Sequence, residues 1–225
     1  MYRHHAHGIA RGTTRSQRAM WWSLCGAALL FLTHSPAQAA IGGSSASTLA
    51  PSASLESYSD VDLFETAFRE GAAQYDAGNY TAAVQAWRAP ASHGHVSAQF
   101  SLGVAYALGR GVAVDVSRAI PLWEAAAEQG HVGAQFNLGL VYALGQGVER
   151  DLAKARLWWY RAAHGGDSSA QFQLGVLAVS GDSQVQNLLE AAHWWRLAAA
   201  QGNEQALRGL EILKDYGVLP DQSLQ

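Results

Sequence analysis

The chain repeats itself with a period of 36 residues, and this period limits the possible fold more than any other feature of the sequence. Four residue types recur in phase with it. They are the tryptophans Trp87, Trp123, Trp159 and Trp195, the glycines Gly94, Gly130, Gly166 and Gly202, the alanines Ala98, Ala134, Ala170 and Ala206, and the leucines Leu102, Leu138, Leu174 and Leu210. Four sets of residues with the same period and phase predict a row of similar structural units, each packed against its neighbours.

Each unit has the pattern of two helices. Ala98, Leu102 and Tyr106 are spaced at i, i+4 and i+8, which places them on one face of a first helix. The glycine loop 109–112 ends that helix, Asp115 or Ser117 can cap the second helix, and a glycine follows its end. One helix pair cannot bury both of its faces, so the pairs must stack. The sequence therefore predicts an all-α fold, an α/α solenoid coiled as a right-handed superhelix, with eight or nine helices between residues 60 and 216 and no sheet.

Glycine recurs in the middle of each predicted first helix, where it costs about 1 kcal/mol relative to alanine. The recurrence predicts a close helix crossing at each glycine, with the periodic tryptophan filling the space beside it. The predicted repeat core consists of Leu102, Gly103, Tyr106, Trp123, Leu138, Gly139, Tyr142, Trp159, Leu174, Gly175 and Trp195.

The ends of the repeat array depart from the pattern. Residues 59–95 form a leading unit that we align on Tyr75 and Trp87, with a loop five residues shorter than in the units that follow. Residues 96–202 hold three regular repeats, 203–216 a polar capping helix, and 217–225 a tail. Pro121 falls inside a predicted second helix, so we expect that helix to be shortened or bent and to begin no earlier than Val116.

The N-terminus has the features of a secretory signal. Arg15 and Arg18 precede an apolar run at 20–32, and a small-x-small site ends at Ala39. We expect residues 1–39 to be a signal peptide cleaved after Ala39, and 40–58 to be a flexible Ser/Ala/Gly linker. The chain is then periplasmic or secreted, without stable membrane insertion. The alternative is an uncleaved inner-membrane anchor. Cleavage would remove the single cysteine, Cys25, and with it any disulfide or thiolate metal site.

Charge and motifs argue against several classes of function. Residues 40–225 carry eleven basic and eighteen acidic side chains, the wrong sign for a nucleic-acid-binding protein. H-E-x-x-H, G-x-S-x-G and P-loop motifs are missing. His95 and His131 could share a metal, but helix capping is favoured because their next equivalents, Asp167 and Asn203, are ordinary helix-start residues. We expect no enzyme activity, catalytic residue, cofactor or metal.

The recurring pattern A-x-x-x-L-G-x-x-Y-x-x-G-x-G-V-x-x-D-x-x-x-A-x-x-x-W-x-x-A-A-x-x-G resembles the Sel-one-like repeat, a relative of the tetratricopeptide repeat. The shorter leading unit is similar to a tetratricopeptide repeat. The resemblance implies an exported bacterial scaffold or adaptor that binds a protein or peptide. A structural subunit of an envelope assembly, such as a secretion or motor complex, is an alternative. A β-lactam-binding or hydrolysing enzyme is a remote one, because the disulfides of such relatives and an S-x-x-K motif are missing.

The same resemblance suggests where a partner binds. With the tetratricopeptide pattern as guide, one set of first-helix positions leans toward a concave groove, and these positions are mostly apolar. The predicted partner-binding residues are Phe100, Val104, Leu108, Phe136, Leu140, Leu144, Phe172 and Val176. We expect the three phenylalanine rings to keep exposed area facing one concavity and to favour an apolar or extended peptide. The alternatives are that these rings are buried between helices, or that Trp158 and Trp194 on the second helices form the binding surface.

Overall fold

The computed structural model describes residues 60–180 and 185–220, all of which belong to one compact unit. These residues form nine α-helices and no strand, which confirms the predicted all-α fold. The predicted signal peptide, the linker and the last tail residues, 221–225, lie outside the described residues. The helices are α1 (Asp60–Asp76), α2 (Tyr80–Ser92), α3 (Val96–Leu108), α4 (Val116–Glu128), α5 (Val132–Leu144), α6 (Leu152–His164), α7 (Ser168–Ser180), α8 (Val185–Ala200) and α9 (Glu204–Asp215).

The helices are arranged as successive pairs. The first helices are α1, α3, α5 and α7, and each packs against the second helix that follows it. Helices α3, α5 and α7 also pack against the second helix before them. Short connections leave consecutive helices antiparallel. Contacts in the described part of the chain are therefore mostly between neighbours in sequence, which is the organisation of a solenoid of helical repeats.

Close glycine–tryptophan packing holds each pair together. A β-carbon placed on Gly103 would lie 2.6 Å from Nε1 of Trp123, and one on Gly139 or Gly175 would overlap Trp159 or Trp195. The four periodic tryptophans are buried, as are Leu102, Leu138 and Leu174. Tyr106 and Tyr142 are half-buried at the edge of this core. The mid-helix glycines thus allow the indole rings to approach the first-helix backbone.

Polar side chains cap the starts of the first helices α3, α5 and α7 and of the final helix α9. His95 Nδ1 and His131 Nδ1 accept hydrogen bonds from the backbone N–H groups three residues later, at 3.2 and 3.1 Å. Asp167 and Asn203 do the same at the equivalent starts. Capping of the first helices by the two histidines, which the sequence predicts, is therefore confirmed. The second helices α4 and α6 are capped by Asp115 and Asp151.

The leading unit differs from its sequence alignment. Gly71 contacts Trp87 as the mid-helix glycines contact their tryptophans, so Gly71 and not Tyr75 sets the phase of α1. By this criterion the loop at 77–79 is four residues shorter than the loop at 109–115, not five. The guanidinium of Arg110 contacts both helices of the leading unit near this short loop. It donates to the hydroxyl of Tyr75 and lies 5.4 Å from the ring centroid of Tyr80.

Pro121 does not shorten its helix. Helix α4 begins at Val116, as predicted, and has 13 residues, as many as α3, α5 and α6. The proline removes the N–H that would bond to the carbonyl of Ser117, and Ser117 is exposed. Water can therefore satisfy that carbonyl. At the other end of the array, Leu219 beyond α9 is buried against the last core cluster, so the predicted tail begins as part of the fold.

Candidate functional site

The structure buries most of the predicted partner-binding positions. Phe100, Phe136 and Phe172 are 6 %, 6 % and 3 % exposed, so the expectation of exposed ring area is wrong. Val104 and Leu140 are buried as well. Helices α3 and α5 are apolar around most of their circumference because neighbouring helices cover them on several sides. These five residues therefore pack the solenoid and do not form its surface.

The phenylalanines join one unit to the next. The Phe100 ring stacks on His131, the cap of the following first helix, with centroids 4.2 Å apart. In the leading unit Phe68 holds the equivalent position and contacts His95 at 5.0 Å. Sequence reasoning missed Phe68 because the shorter loop moves it out of the 36-residue phase. The rings of Phe68 and Phe100 are thus covered by the cap residues of the neighbouring units.

The backbone carbonyls of the phenylalanines have a second role. Indole N–H groups of the periodic tryptophans donate to them, from Trp87 to Phe68 at 3.1 Å, from Trp123 to Phe100 at 3.3 Å and from Trp195 to Phe172 at 3.1 Å. Among the units described, Trp159 leaves its indole N–H without a hydrogen-bond partner. The second repeat therefore lacks a bond that the other units make.

A row of buried glutamine side chains runs through the repeats. Each occupies the second position of the A-Q-F phrase, and its amide N–H₂ donates to a carbonyl at the end of the preceding second helix. The bonds run from Gln99 to Ala91 at 3.2 Å, from Gln135 to Ala127 at 3.1 Å and from Gln171 to Ala163 at 3.2 Å. The last carbonyls of a helix lack intrahelical donors. Each of these three accepts the backbone N–H of a following glycine, Gly94, Gly130 or Gly166, and the glutamine amide supplies a second donor at a buried position.

Three of the predicted binding residues keep accessible surface. Leu144 is 44 % exposed at the end of α5, and its equivalent Leu108 is half-buried at the end of α3. Val176 on α7 is half-buried. Equivalent positions in stacked repeats lie in a row, so Leu108 and Leu144 mark one edge of the first-helix surface. Their counterpart on α7 is Ser180, and Val176 lies one helical turn before it. We refer to Leu108, Leu144 and Val176 as the first-helix row.

Titratable side chains in the described residues serve packing and capping. His95 Nδ1 accepts a backbone N–H, so in the neutral ring Nε2 carries the proton and donates to Glu65 at 3.0 Å. That bond lowers the pKa of Glu65 below its usual value. Burial lowers the pKa of His131. Burial and the nearby Glu124 carboxylate raise the pKa of Tyr142, whose hydroxyl donates to Glu124 at 3.3 Å.

The arrangement of these groups offers no obvious reaction centre. Residues 60–180 and 185–220 contain no group of three or more His, Cys, Asp or Glu side chains placed to hold a metal ion. The buried glutamine row and the helix caps are both paired with backbone groups. The described surface carries accessible side chains on stacked helix pairs, and such a surface is suited to binding another molecule.

Comparison with known families fits this organisation. The model of the Sel1 repeat matches residues 96–131, 132–167 and 168–203, in phase with the helix pairs α3–α4, α5–α6 and α7–α8. The chain belongs to the Sel1-repeat family. Sel1-repeat proteins typically mediate protein–protein interactions. The Sel1 match starts after the leading unit, α1–α2.

Two solved structures share the repeat architecture. A Sel1 repeat protein from Oxalobacter formigenes is 31 % identical with a TM-score of 0.62, over 67 % of this chain and 60 % of that one. c5321, a protective antigen present in uropathogenic Escherichia coli strains and displaying an SLR fold, is 31 % identical with a TM-score of 0.64, over 68 % of this chain and 34 % of that one. The chain thus spans less than two thirds of either relative. No curated protein matches it in sequence.

Among residues 60–180 and 185–220, no helix is long and apolar enough to cross a membrane.

Proposed function

We propose that this Sel1-repeat protein is an exported adaptor that binds a peptide or protein segment along its first helices. The observation that supports the proposal is the first-helix row, Leu108, Leu144 and Val176, which stays accessible while Val104 and Leu140 are buried. Leu108 and Leu144 hold equivalent positions on successive repeats, and Val176 lies one helical turn before their counterpart on α7, so the row offers apolar contact on three repeats.

The chemistry of the row favours an apolar, extended segment. Ala107 and Ala143 lie beside the two leucines and are half-buried, and neither position carries charge. A sugar or an anion would need several donors or cations, and the side chains of the row offer none. Arg150, beside Leu144, donates to the carbonyl of Ala143. Because each unit contributes only one or two accessible side chains, a bound segment must run across more than one repeat to gain useful affinity.

The proposal includes export and the predicted segment boundaries. Residues 1–39 act as the signal peptide, 40–58 as a linker, 59–95 and 96–202 as the binding array, and 203–216 as its cap. The partner is then a component of the periplasm or the cell envelope, and no catalytic step is involved. A permanent structural subunit would differ by staying in one complex throughout gel filtration of a native extract, whereas an adaptor should also be recovered alone.

Capture from the native envelope tests the proposal. The double variant Leu108→Glu/Leu144→Glu places carboxylates on the row, and mass spectrometry compares the proteins that it and the wild type retain. The control is Leu63→Glu/Leu207→Glu, which changes two leucines on α1 and α9 that are as exposed as Leu144, and equal melting of the two variants shows that the half-buried Leu108 tolerates its substitution. Loss of a partner in the first variant but not in the control supports the proposal. Equal capture by all three proteins contradicts it.

A further inference from the structure

Large apolar side chains are exposed mainly on two neighbouring second helices. Leu157 and Tyr160 on α6 are 50 % and 49 % exposed, and Leu189 and Leu197 on α8 are 51 % and 41 % exposed. Single exposed leucines are normal on protein surfaces. Four on two adjacent helices are different, because they can act as one apolar area.

Side-chain contacts join the two helices at this surface. Arg156 Nη2 donates to Glu190 Oε1 at 2.9 Å, from α6 to α8. Four residues further along each helix, the Tyr160 ring meets the edge of Trp194 at 5.9 Å. Two contacts in the same register show that α6 and α8 lie side by side here. The outward faces of both helices therefore form one continuous surface.

Helical spacing places six side chains on that surface. Leu157, Tyr160 and His164 are spaced at i, i+3 and i+7 on α6, and Leu189, His193 and Leu197 at i, i+4 and i+8 on α8. The buried Trp194 lies beneath them, with the His164 and His193 rings 6.0 and 5.2 Å from it. We call these six side chains the outer patch.

The charge around the outer patch is opposite to that of the other helices. Helices α6 and α8 carry four cationic side chains, Lys154, Arg156, Arg161 and Arg196, against the single carboxylate of Glu190. The other described residues carry seven cationic and fourteen acidic side chains. An acidic partner would be attracted to this surface and repelled by the remainder of the molecule, which orients it on approach.

We propose that the outer patch is a second docking surface, and that its partner is an acidic amphipathic helix of another protein. The two parallel rows of apolar side chains match the i, i+3, i+4, i+7 stripe of such a helix. Arg161 and Arg196, which form no ion pair within the described residues, can pair with its carboxylates. Tyrosine, tryptophan and arginine are also the residues that contribute most to binding at protein interfaces.

An anionic membrane fits the same surface less well. Each cation near a charged bilayer contributes about 1 kcal/mol. Two of the four cations here are already within reach of carboxylates, Arg156 of Glu190 and Lys154 of Asp151. Arg161 is held over the Trp158 ring at 4.7 Å. The electrostatic attraction that remains is small for a lipid surface, while shape and apolar contact remain suitable for a helix.

A peptide titration tests this proposal with the full-length protein. The probe is a fluorescein-labelled peptide of about 18 residues, roughly five helical turns, with leucines on one face and glutamates elsewhere. A second peptide carries lysine in place of glutamate, and vesicles of phosphatidylglycerol and phosphatidylcholine form a third arm. We expect the glutamate peptide to bind, and raising the salt from about 50 to about 500 mM to weaken it.

Variants show where the peptide binds. Leu157→Glu/Leu197→Glu should weaken binding of the glutamate peptide at least about ten-fold. Leu63→Glu/Leu207→Glu, of similar exposure, and Leu108→Glu/Leu144→Glu on the first-helix row should leave it unchanged, with all four proteins melting alike. An unbound glutamate peptide, equal loss in the control, or preference for the lysine peptide or the vesicles would each overturn the proposal.

Discussion

Gly139 lies directly against the edge of the Trp159 indole, where a β-carbon would overlap the ring. The same relationship recurs between Gly103 and Trp123 and between Gly175 and Trp195. It explains why each first helix tolerates a glycine in its middle.

Gly139→Ala tests the contact between Gly139 and Trp159 most directly. In an exposed helix the change should stabilise by about 1 kcal/mol. Here the added methyl group must displace the indole, so we expect a net loss of about 1–3 kcal/mol in the free energy of unfolding, measured by urea denaturation. In a Trp159→Leu background the cost of Gly139→Ala should shrink, because the smaller side chain leaves room. Equal costs in both backgrounds would show that the two residues do not compete for space.

The buried glutamine row supports a second prediction. Gln135→Leu removes the amide that donates to the carbonyl of Ala127 and leaves that carbonyl with the backbone N–H of Gly130. We expect a loss of about 0.5–1.5 kcal/mol in urea denaturation, the net contribution of one hydrogen bond. Gln146→Leu, at an exposed loop position, is the matched control and should change stability little. A Gln135→Leu protein as stable as this control would show that the amide hydrogen bond does not contribute to stability.

The cap at His131 should make stability depend on pH. Burial lowers the pKa of His131 in the folded state, so the unfolded chain binds more protons as the pH falls below about 6.5. The contribution of neutral His131 to the free energy of unfolding is fully present above that pH, and it is lost as the pH falls through the pKa of His131 in the folded state. A protonated Nδ1 can no longer accept the Ala134 N–H. Melting temperatures between about pH 8 and pH 5 measure the effect.

The chain itself supplies the control for that prediction. Asn203 caps α9 at the equivalent position, with Oδ1 accepting the Ala206 N–H at 3.0 Å. His131→Asn should therefore keep the cap and remove the part of the pH dependence of the melting temperature that is due to His131. A profile identical to that of the wild type would assign the pH dependence to other groups.

Export is tested at the N-terminus. We predict that the protein recovered from the native cell envelope begins at Ala40, because Arg15, Arg18, the apolar run at 20–32 and the small-x-small site at Ala39 have the sequence pattern of a secretory signal. N-terminal sequencing of that material gives the answer. Protein that retains Met1 and stays in the cytosol would remove the export proposal.

The 36-residue period was sufficient to predict the helices, their caps and the glycine–tryptophan contacts, because these features depend on residues within one unit. It could not predict which neighbour covers a side chain. Phe100 is buried because His131 of the next unit stacks on it. Phe68 was missed because a loop four residues shorter shifts its phase.

The exposed surfaces were harder to predict than the core for the same reason. Leu140 and Leu144 occupy the same helix, yet one is buried and the other exposed, since only the end of α5 escapes its neighbours. The contact between Tyr160 and Trp194 that builds the outer patch joins two repeats. Periodicity marks equivalent positions, but burial depends on how successive units are placed against each other.

Site-specific photo-cross-linking in the native bacterium tests partner binding on the first helices most directly. A photoreactive residue replaces Leu144, and in a parallel strain it replaces Arg88, which is exposed on α2. We predict a discrete cross-linked adduct with an envelope protein from position 144 and none from position 88. No adduct from position 144 in cells where the protein is exported and folded would contradict binding along the first helices.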